Sequence, residues 1–325
     1  MSLRDAAADA STNGLGFRSI VVSASLTPFQ RCPDQLEDAV GGGYQCTFPS
    51  PHLPAPEPSI GIYASMNCSV YPGVPGEARK LIWEVFFASR QRGINLKAHF
   101  PWIDQENNIH CFALTKPGNS DFLATLILKT QFINSRMNYA MVGMVCVKEE
   151  WRRSGLGKQL MTYMLDYSEK NQISALVLWT TQPNFYSRYG FIIDNSDCSG
   201  NVALKPQREN VKVEYKTKSA HPSISLPPFA KRIIHYEGKE SELFVIESKN
   251  GLLLAEWIGT PSSVVDLVES VMPLKWDLST SEGNPIINEL KSRGHTYIPC
   301  KNGDRMIRYL NAPMQIPYVS VLHRI

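Results

Sequence analysis

Hydrophobic and polar positions alternate with clear periods from about residue 59 onward. Ile60-Gly61-Ile62-Tyr63 reads as a short strand. From Gly76 to Arg90 apolar residues recur at helical spacing, with Leu81, Ile82, Val85 and Phe86 on one stripe. His110 to Leu114 and Leu123 to Leu128 alternate as strands around Pro117-Gly118-Asn119-Ser120, a hairpin turn signal. Two short apolar runs follow, Ala140–Val147 and Ala175–Thr180, which read as buried strands. Between them Gln159 to Leu165 returns to a helical pattern.

The second half repeats this coarse order. Leu243–Glu247 and Gly251–Ile258 read as strands, Val264–Val271 as a helix and Leu274–Leu278 as a strand. Asn284–His295 is a helix ending at glycine, and Met306–Leu310 is a closing strand. Such self-similarity suggests duplication, the alternative being an α/β domain with an accidental likeness. Residues 1–58 stand apart: they are rich in Ala, Ser, Gly and Pro, show only a faint strand at 19–22, and read as a flexible extension. Residues 201–240, with Pro206, Pro222, Pro227 and Pro228 among polar residues, read as a linker. The expected domains are therefore 59–200 and 241–325.

Composition narrows the class. A chain of 325 residues is long enough for two domains with sizeable cores. No window approaches the length of an uninterrupted apolar membrane span, and the N-terminus lacks an apolar secretory core. Seven cysteines are scattered with no C-x-x-C or zinc spacing, so no metal site is expected and a reducing cytoplasm is the simplest account. The formal charge of +3 suits a polyanionic ligand. No basic stripe interleaved with aromatics marks a nucleic-acid surface.

The candidate chemistry lies between the two apolar runs. Glu149-Glu150-Trp151-Arg152-Arg153-Ser154-Gly155-Leu156-Gly157-Lys158 joins a strand to a helix. Backbone N–H groups at a helix start have no intrahelical partner, and the helix dipole places partial positive charge there. Glycines let a phosphate approach the backbone, and Arg152, Arg153 and Lys158 add full charges. The spacing is neither a P-loop nor a dinucleotide fingerprint. Downstream, Asn184-Phe185-Tyr186-Ser187-Arg188-Tyr189-Gly190-Phe191 reads as a short helix stopped by glycine.

Arg152-x-x-Gly155-x-Gly157 resembles the pyrophosphate loop of the GNAT superfamily of N-acetyltransferases, and Tyr186-x-x-x-Gly190-Phe191 resembles its second signature. The resemblance covers about residues 59–200. It implies an α+β fold, a mixed, mostly antiparallel central sheet flanked by helices. A second, smaller GNAT-like α/β domain without a cofactor loop would follow, since no Arg-Gly-Gly loop precedes Val264 and Leu290 stands where Tyr186 would. It further implies acetyl-CoA as co-substrate, its diphosphate held at Arg152, Arg153, Ser154, Gly155, Leu156, Gly157 and Lys158, and its pantetheine arm met by Val145, Cys146 and Val147. Tyr186 would give its proton to the departing thiolate. Backbone N–H groups near Val145–Val147 would meet the oxyanion. The segment Thr180-Thr181-Gln182-Pro183 departs from the Asn-x-x-Ala pattern of many relatives.

The implied reaction is direct acetyl transfer to a primary amine of a small molecule or protein, and it needs a base because an ammonium is not nucleophilic. Glu84 is the candidate on the helix that faces the acceptor in the family. Asp104, Asp121, His99 and His110 are others, and Lys97–Asp104 could line the acceptor pocket. Two rivals stay open: a GNAT-fold module that senses acetyl-CoA or binds a partner, and an acyltransferase using a longer acyl-CoA. The sequence leaves the acceptor and the oligomeric state open.

Overall fold

The computed structural model describes residues 66–90, 93–134, 137–206, 213–219, 224–301 and 303–325. The extension 1–58 and the strand expected at Ile60–Tyr63 lie outside the described residues. In chain order the first part runs β1 (Asn67–Pro72), α1 (Gly76–Phe86), α2 (Leu96–His99), β2 (Ile109–Thr115), β3 (Phe122–Phe132) and β4 (Asn138–Val147). It continues with α3 (Leu156–Lys170), β5 (Ala175–Thr180), α4 (Pro183–Ser187) and β6 (Ile192–Ile193). The second part runs β7 (Asp197–Ala203), β8 (Tyr215–Ser219), β9 (Ala230–Gly238), β10 (Glu242–Ser248) and β11 (Gly251–Ile258). It ends with α5 (Pro261–Val271), β12 (Lys275–Ser281), α6 (Pro285–Ser292), β13 (Thr296–Cys300) and β14 (Asp304–Tyr309).

Two 7-stranded sheets result. The first has the order β1-β2-β3-β4-β5-β14-β6, and the second, read from its β8 edge, β8-β9-β10-β11-β12-β7-β13. The orders match strand for strand. Each sheet has one parallel pair, β4 with β5 and β11 with β12, joined by the crossover helix α3 or α5. The other pairs are antiparallel. The duplication expected from the sequence is therefore present as two sheets of one topology.

The expected domain limits do not follow these sheets. β7 leaves the first half and lies between β12 and β13, paired along Asp197–Ala203. β14, expected to close the second domain, lies instead between β5 and β6, with Met306 opposite Leu178. The two halves exchange one inner strand each. Residues 201–240, expected as a linker, contain the end of β7 and two strands, β8 and β9, that extend the second sheet. The edge strand β8 is exposed along its whole length, where pairing does not require an apolar run. The helix expected over Gly76–Arg90 stops as an α-helix at Phe86 and finishes in a 3-10 turn, Ala88–Arg90.

Helices cover both faces of the first sheet. α1 buries Ala78, Leu81 and Ile82, and α3 buries Leu156, Leu160, Met161 and Met164 on the other side. These spacings of three and four make one apolar stripe per helix, and a fully buried leucine such as Leu160 contributes about 2 kcal/mol. The exchanged strands are tied where they cross. Arg305 on β14 has a fully buried side chain and meets Asp194 at 3.1 Å and Asp197, the first residue of β7, at 3.0 Å. Because an inner strand of each sheet comes from the other half, neither sheet is complete alone. The chain is expected to melt in a single transition, with tryptophan fluorescence and far-ultraviolet circular dichroism giving the same midpoint. Two separated transitions would contradict the exchange. No helix among the described residues is long and apolar enough to cross a membrane.

Candidate active site

β4 and β5 run together only as far as Met141 opposite Val177, then part. A bulge accompanies the parting. Thr125 pairs with Cys146 and Ile127 with Gly143, so Leu126 alone opposes Met144 and Val145. Met144 takes up the extra residue at φ 50°, a left-handed conformation unusual for a non-glycine side chain. The bend leaves one edge of β4 facing a cavity of about 1010 Å³ instead of a strand. Residues 142–147 form one wall and Trp179 to Gln182 the other.

The cavity passes through the split from one face of the sheet to the other. On the α3 side it meets the loop after β4, together with Phe185, Tyr186 and Tyr189. On the α1 side it meets Val85, Phe86, Met144 and Trp179. The loop is a 3-10 turn, Glu149–Trp151, followed by Arg153 at φ 65° and Gly155 at φ 83°. Ser154 closes the turn by donating to the Trp151 carbonyl at 2.5 Å. Gly155 is the N-cap of α3, and no side chain caps that helix. The first intrahelical bond is Gln159 N–H to the Gly155 carbonyl, so the N–H groups of Leu156, Gly157 and Lys158 keep free donors. Arg152 has only a 3.4 Å contact with the exposed Glu149. Arg153 and Lys158 have no ion pair among the described residues. Free helix donors and cations with little carboxylate pairing among the described residues stand together on one cavity wall, an arrangement suited to an anion.

The second half shows what happens without that role. At the matching start of α5, the Thr260 side chain accepts the Ser263 N–H at 3.2 Å and Ser263 Oγ accepts the Thr260 N–H at 3.1 Å. Arg293 donates to the Ser262 hydroxyl at 2.7 Å and is itself paired with Asp266 and Glu289. That helix start satisfies itself and is ringed by carboxylates, so it does not offer an anion site.

Tyr186 stands on α4, directly across the cavity from β4. Its ring packs edge-on against Phe185 at 4.9 Å and Phe191 at 6.1 Å. Burial pushes its phenol up to about 12, with Tyr189 adding to the shift. The turn behind it ends at Gly190, φ 77°, and is held by the exchanged strand: Arg308 of β14 donates to the Tyr189 carbonyl at 2.6 Å.

The residues anticipated at the site divide clearly. Val145, Cys146, Val147, Arg152, Arg153, Gly155, Gly157, Lys158 and Tyr186 all reach the cavity. Leu156 turns its side chain into the core at 2% exposure and has only its backbone to offer, while the Ser154 hydroxyl is used within the turn. The Cys146 thiol is inert as an acid, raised to about 12 by burial.

Among the candidate bases, Glu84 is exposed on α1 beside the cavity wall at Val85, close enough for its charge to act on Cys146. Asp104 is held low by Lys97 and Arg79 and does not line the cavity. His99 is buried, its Nε2 accepting the Ile94 N–H while its Nδ1–H donates to Leu226 O at 2.7 Å. His110 packs on Tyr167 of α3, away from the α1 side. Asp121 lies exposed in the β2–β3 turn. The segment Lys97–Asp104 is folded as α2 and a 3-10 turn and takes no part in the cavity.

Three features of the site were not read from the sequence as functional. Val85, Phe86 and Trp179 belong by their pattern to a core stripe and a buried strand; only the parting of β4 from β5 exposes them to a cavity. Trp179 is fixed from behind: its Nε1–H donates to Asp197 at 2.5 Å, and the Arg324 guanidinium lies 4.9 Å from its ring centre. Ile325 packs over Gly143, where an added Cβ would stand 2.6 Å from the Ile325 main-chain oxygen. Gly143 is thus required by close approach of a distant segment.

Residues 122–193 match the model of the acetyltransferase (GNAT) domain family. No curated protein matches the chain. Its fold is similar to that of solved structures at low identity. A GCN5-related N-acetyltransferase from Anabaena variabilis is 13% identical with a TM-score of 0.54, covering 75% of this chain and 73% of its own. A conserved protein of unknown function from Enterococcus faecalis, described as a probable N-acyltransferase, is 12% identical with a TM-score of 0.54, over 76% and 73%. A GCN5-related N-acetyltransferase from Kribbella flavida is 12% identical with a TM-score of 0.50, over 77% and 72%.

Proposed function

We propose that this chain, which contains a GNAT acetyltransferase domain, transfers an acetyl group from acetyl-CoA directly to a primary amine. The observation that carries this reading is the uncapped start of α3, with its cations, opening through the split sheet onto Tyr186. The residues present fit the co-substrate: the N–H groups of residues 156–158 with Arg152, Arg153 and Lys158 suit a diphosphate, and the free edge of β4 at Val145–Val147 suits an amide-bearing arm. Acetyl-CoA supplies the thioester acyl group.

The chain's own groups then have distinct tasks. The bulged backbone near Val145 offers N–H donors to oxygen that gains negative charge. Tyr186 keeps its proton at Oη, ready for a departing sulfur, because burial disfavours the phenolate. Glu84 is the proposed base, acting through water from the α1 side. The Ile325 main-chain oxygen, beside Gly143, offers the amine a further hydrogen-bond acceptor.

The test is thiol release from acetyl-CoA in the presence of amines, followed against pH. A phenol raised to about 12 stays protonated across the working range. The rate is expected to rise as the base and the amine lose protons and to show no falling limb up to about pH 10. A fall centred below about pH 9 would remove Tyr186 as the acid. Absence of thiol release with every amine, despite binding of acetyl-CoA, would favour a sensing module.

A further inference from the structure

Positive charge reaches the α3 side of the cavity from two separate elements. Arg152, Arg153 and Lys158 come from the loop after β4 and the first turn of α3, whereas Arg188 comes from the end of α4. α4 is seated on that first turn: the Phe185 ring stands 3.6 Å from the point where a Cβ on Gly157 would lie. Arg188 follows Phe185 by three residues with helical backbone angles, φ −64° and ψ −17°, so the two share one face of α4. Its side chain is exposed and lines the same cavity. The guanidinium takes part in no ion pair or hydrogen bond among the described residues. Burial raises the neighbouring Tyr189 phenol, and the Arg188 charge pulls it partly back. The guanidinium therefore stands near a tyrosine that itself lines the cavity.

The other charges of this region are accounted for without Arg188. The diphosphate bears one charge per phosphate and is met by three loop cations and the open N–H groups of residues 156–158. Glu149, 3.4 Å from Arg152, and the exposed Glu150 belong to the same loop and offset part of its charge. The Ile325 main-chain oxygen stands against Gly143, with Ile325 packed in the core of the α1 side, on the opposite face of the sheet. Coenzyme A carries one further anion, the 3′-phosphate on its ribose. As a terminal monoester it holds about −1.5 to −2 charges at pH 7 and presents free oxygens. A planar guanidinium with several N–H donors matches such a group.

Building on the acetyltransferase reading, we infer that Arg188 holds the 3′-phosphate and lets the site distinguish coenzyme A from its dephospho form. Arg188 is then a specificity residue for the coenzyme, separate in role from the diphosphate loop and from Tyr186.

The experiment titrates the full chain by calorimetry with CoA and with dephospho-CoA. The unaltered chain is expected to bind CoA about 10-fold more tightly. Arg188→Gln is expected to lower CoA affinity about 10-fold and to leave dephospho-CoA within about twofold, so that the difference between the two ligands disappears. Arg188→Lys keeps the charge without the planar fork and should recover part of that difference. Lys158→Gln, in the diphosphate loop, should weaken both ligands by a similar factor. Equal loss of both ligands in Arg188→Gln would assign Arg188 to the diphosphate, and loss of neither would leave it without a phosphate. Either result overturns the inference and leaves acetyl transfer standing. Failure of both ligands to bind the unaltered chain would instead overturn the reading on which the inference rests.

Discussion

Gly155→Asp is expected to abolish measurable acetyl-CoA binding, lowering affinity by about 100-fold or more while the protein stays folded. Three effects act together. Gly155 sits at φ 83°, where a side chain adds about 1 kcal/mol of strain. The new carboxylate faces the place assigned to the diphosphate, and two like charges about 4 Å apart near a protein surface repel by about 4 kcal/mol. Aspartate is also a good N-cap. Its oxygen can accept the N–H groups that α3 now leaves open, removing the donors a phosphate would use. This last effect stabilises the helix start and offsets the strain, so the melting temperature should change little. Gly155→Ala carries the strain without the charge, so it should cost about 1 kcal/mol of stability and lower affinity by no more than about 5-fold. Calorimetric titration with CoA and with acetyl-CoA reads both variants. Normal affinity in Gly155→Asp would refute the loop as the diphosphate site.

Tyr186→Phe is expected to lower kcat by about 100-fold and kcat/KM in equal measure. The phenyl ring keeps the contacts with Phe185 and Phe191, and α4 keeps its hold from Arg308, so only the hydroxyl is lost. That hydroxyl makes no hydrogen bond to another described residue. Its removal therefore orphans no partner, and stability should hold. Affinity for acetyl-CoA is expected to stay within about twofold, because a proton given to a departing thiolate matters only in the transition state. Stopped-flow thiol detection together with equilibrium binding separates the two quantities. Unchanged turnover would sink Tyr186 as the acid, and the pH profile would then have to be explained by another group.

Local chemistry made the loop and the tyrosine helix legible. Arg152, Gly155 and Gly157 fall within one turn, and Tyr186 and Gly190 within the next, so their spacing survives any larger rearrangement. The start of α3 shows glycine where a capping side chain would stand, whereas the reciprocal capping of α5 by Thr260 and Ser263 emerged only in the structure. The periodicity of β2, β3 and β4 told which residues are buried. It could not tell that β4 bulges at Met144, because a left-handed methionine has no sequence signal. The bulge is what turns Trp179 and Phe86 from core residues into cavity wall.

By itself the sequence determined most elements outside 201–240, their repeated order and the glycine-punctuated start of α3, since each rests on neighbours a few residues apart. Only the tertiary structure decided which sheet each strand joins. The apolar pattern of β14 asks to be buried in a sheet but does not say which, and its partner β5 lies more than a hundred residues earlier. The exchange of β7 and β14 then brings Asp197, Arg305 and Arg324 behind Trp179 and Arg308 behind Tyr189. Those contacts hold Trp179 and the turn that carries Tyr186 in place, and they exist because burial of distant strands, not local propensity, chose the pairing.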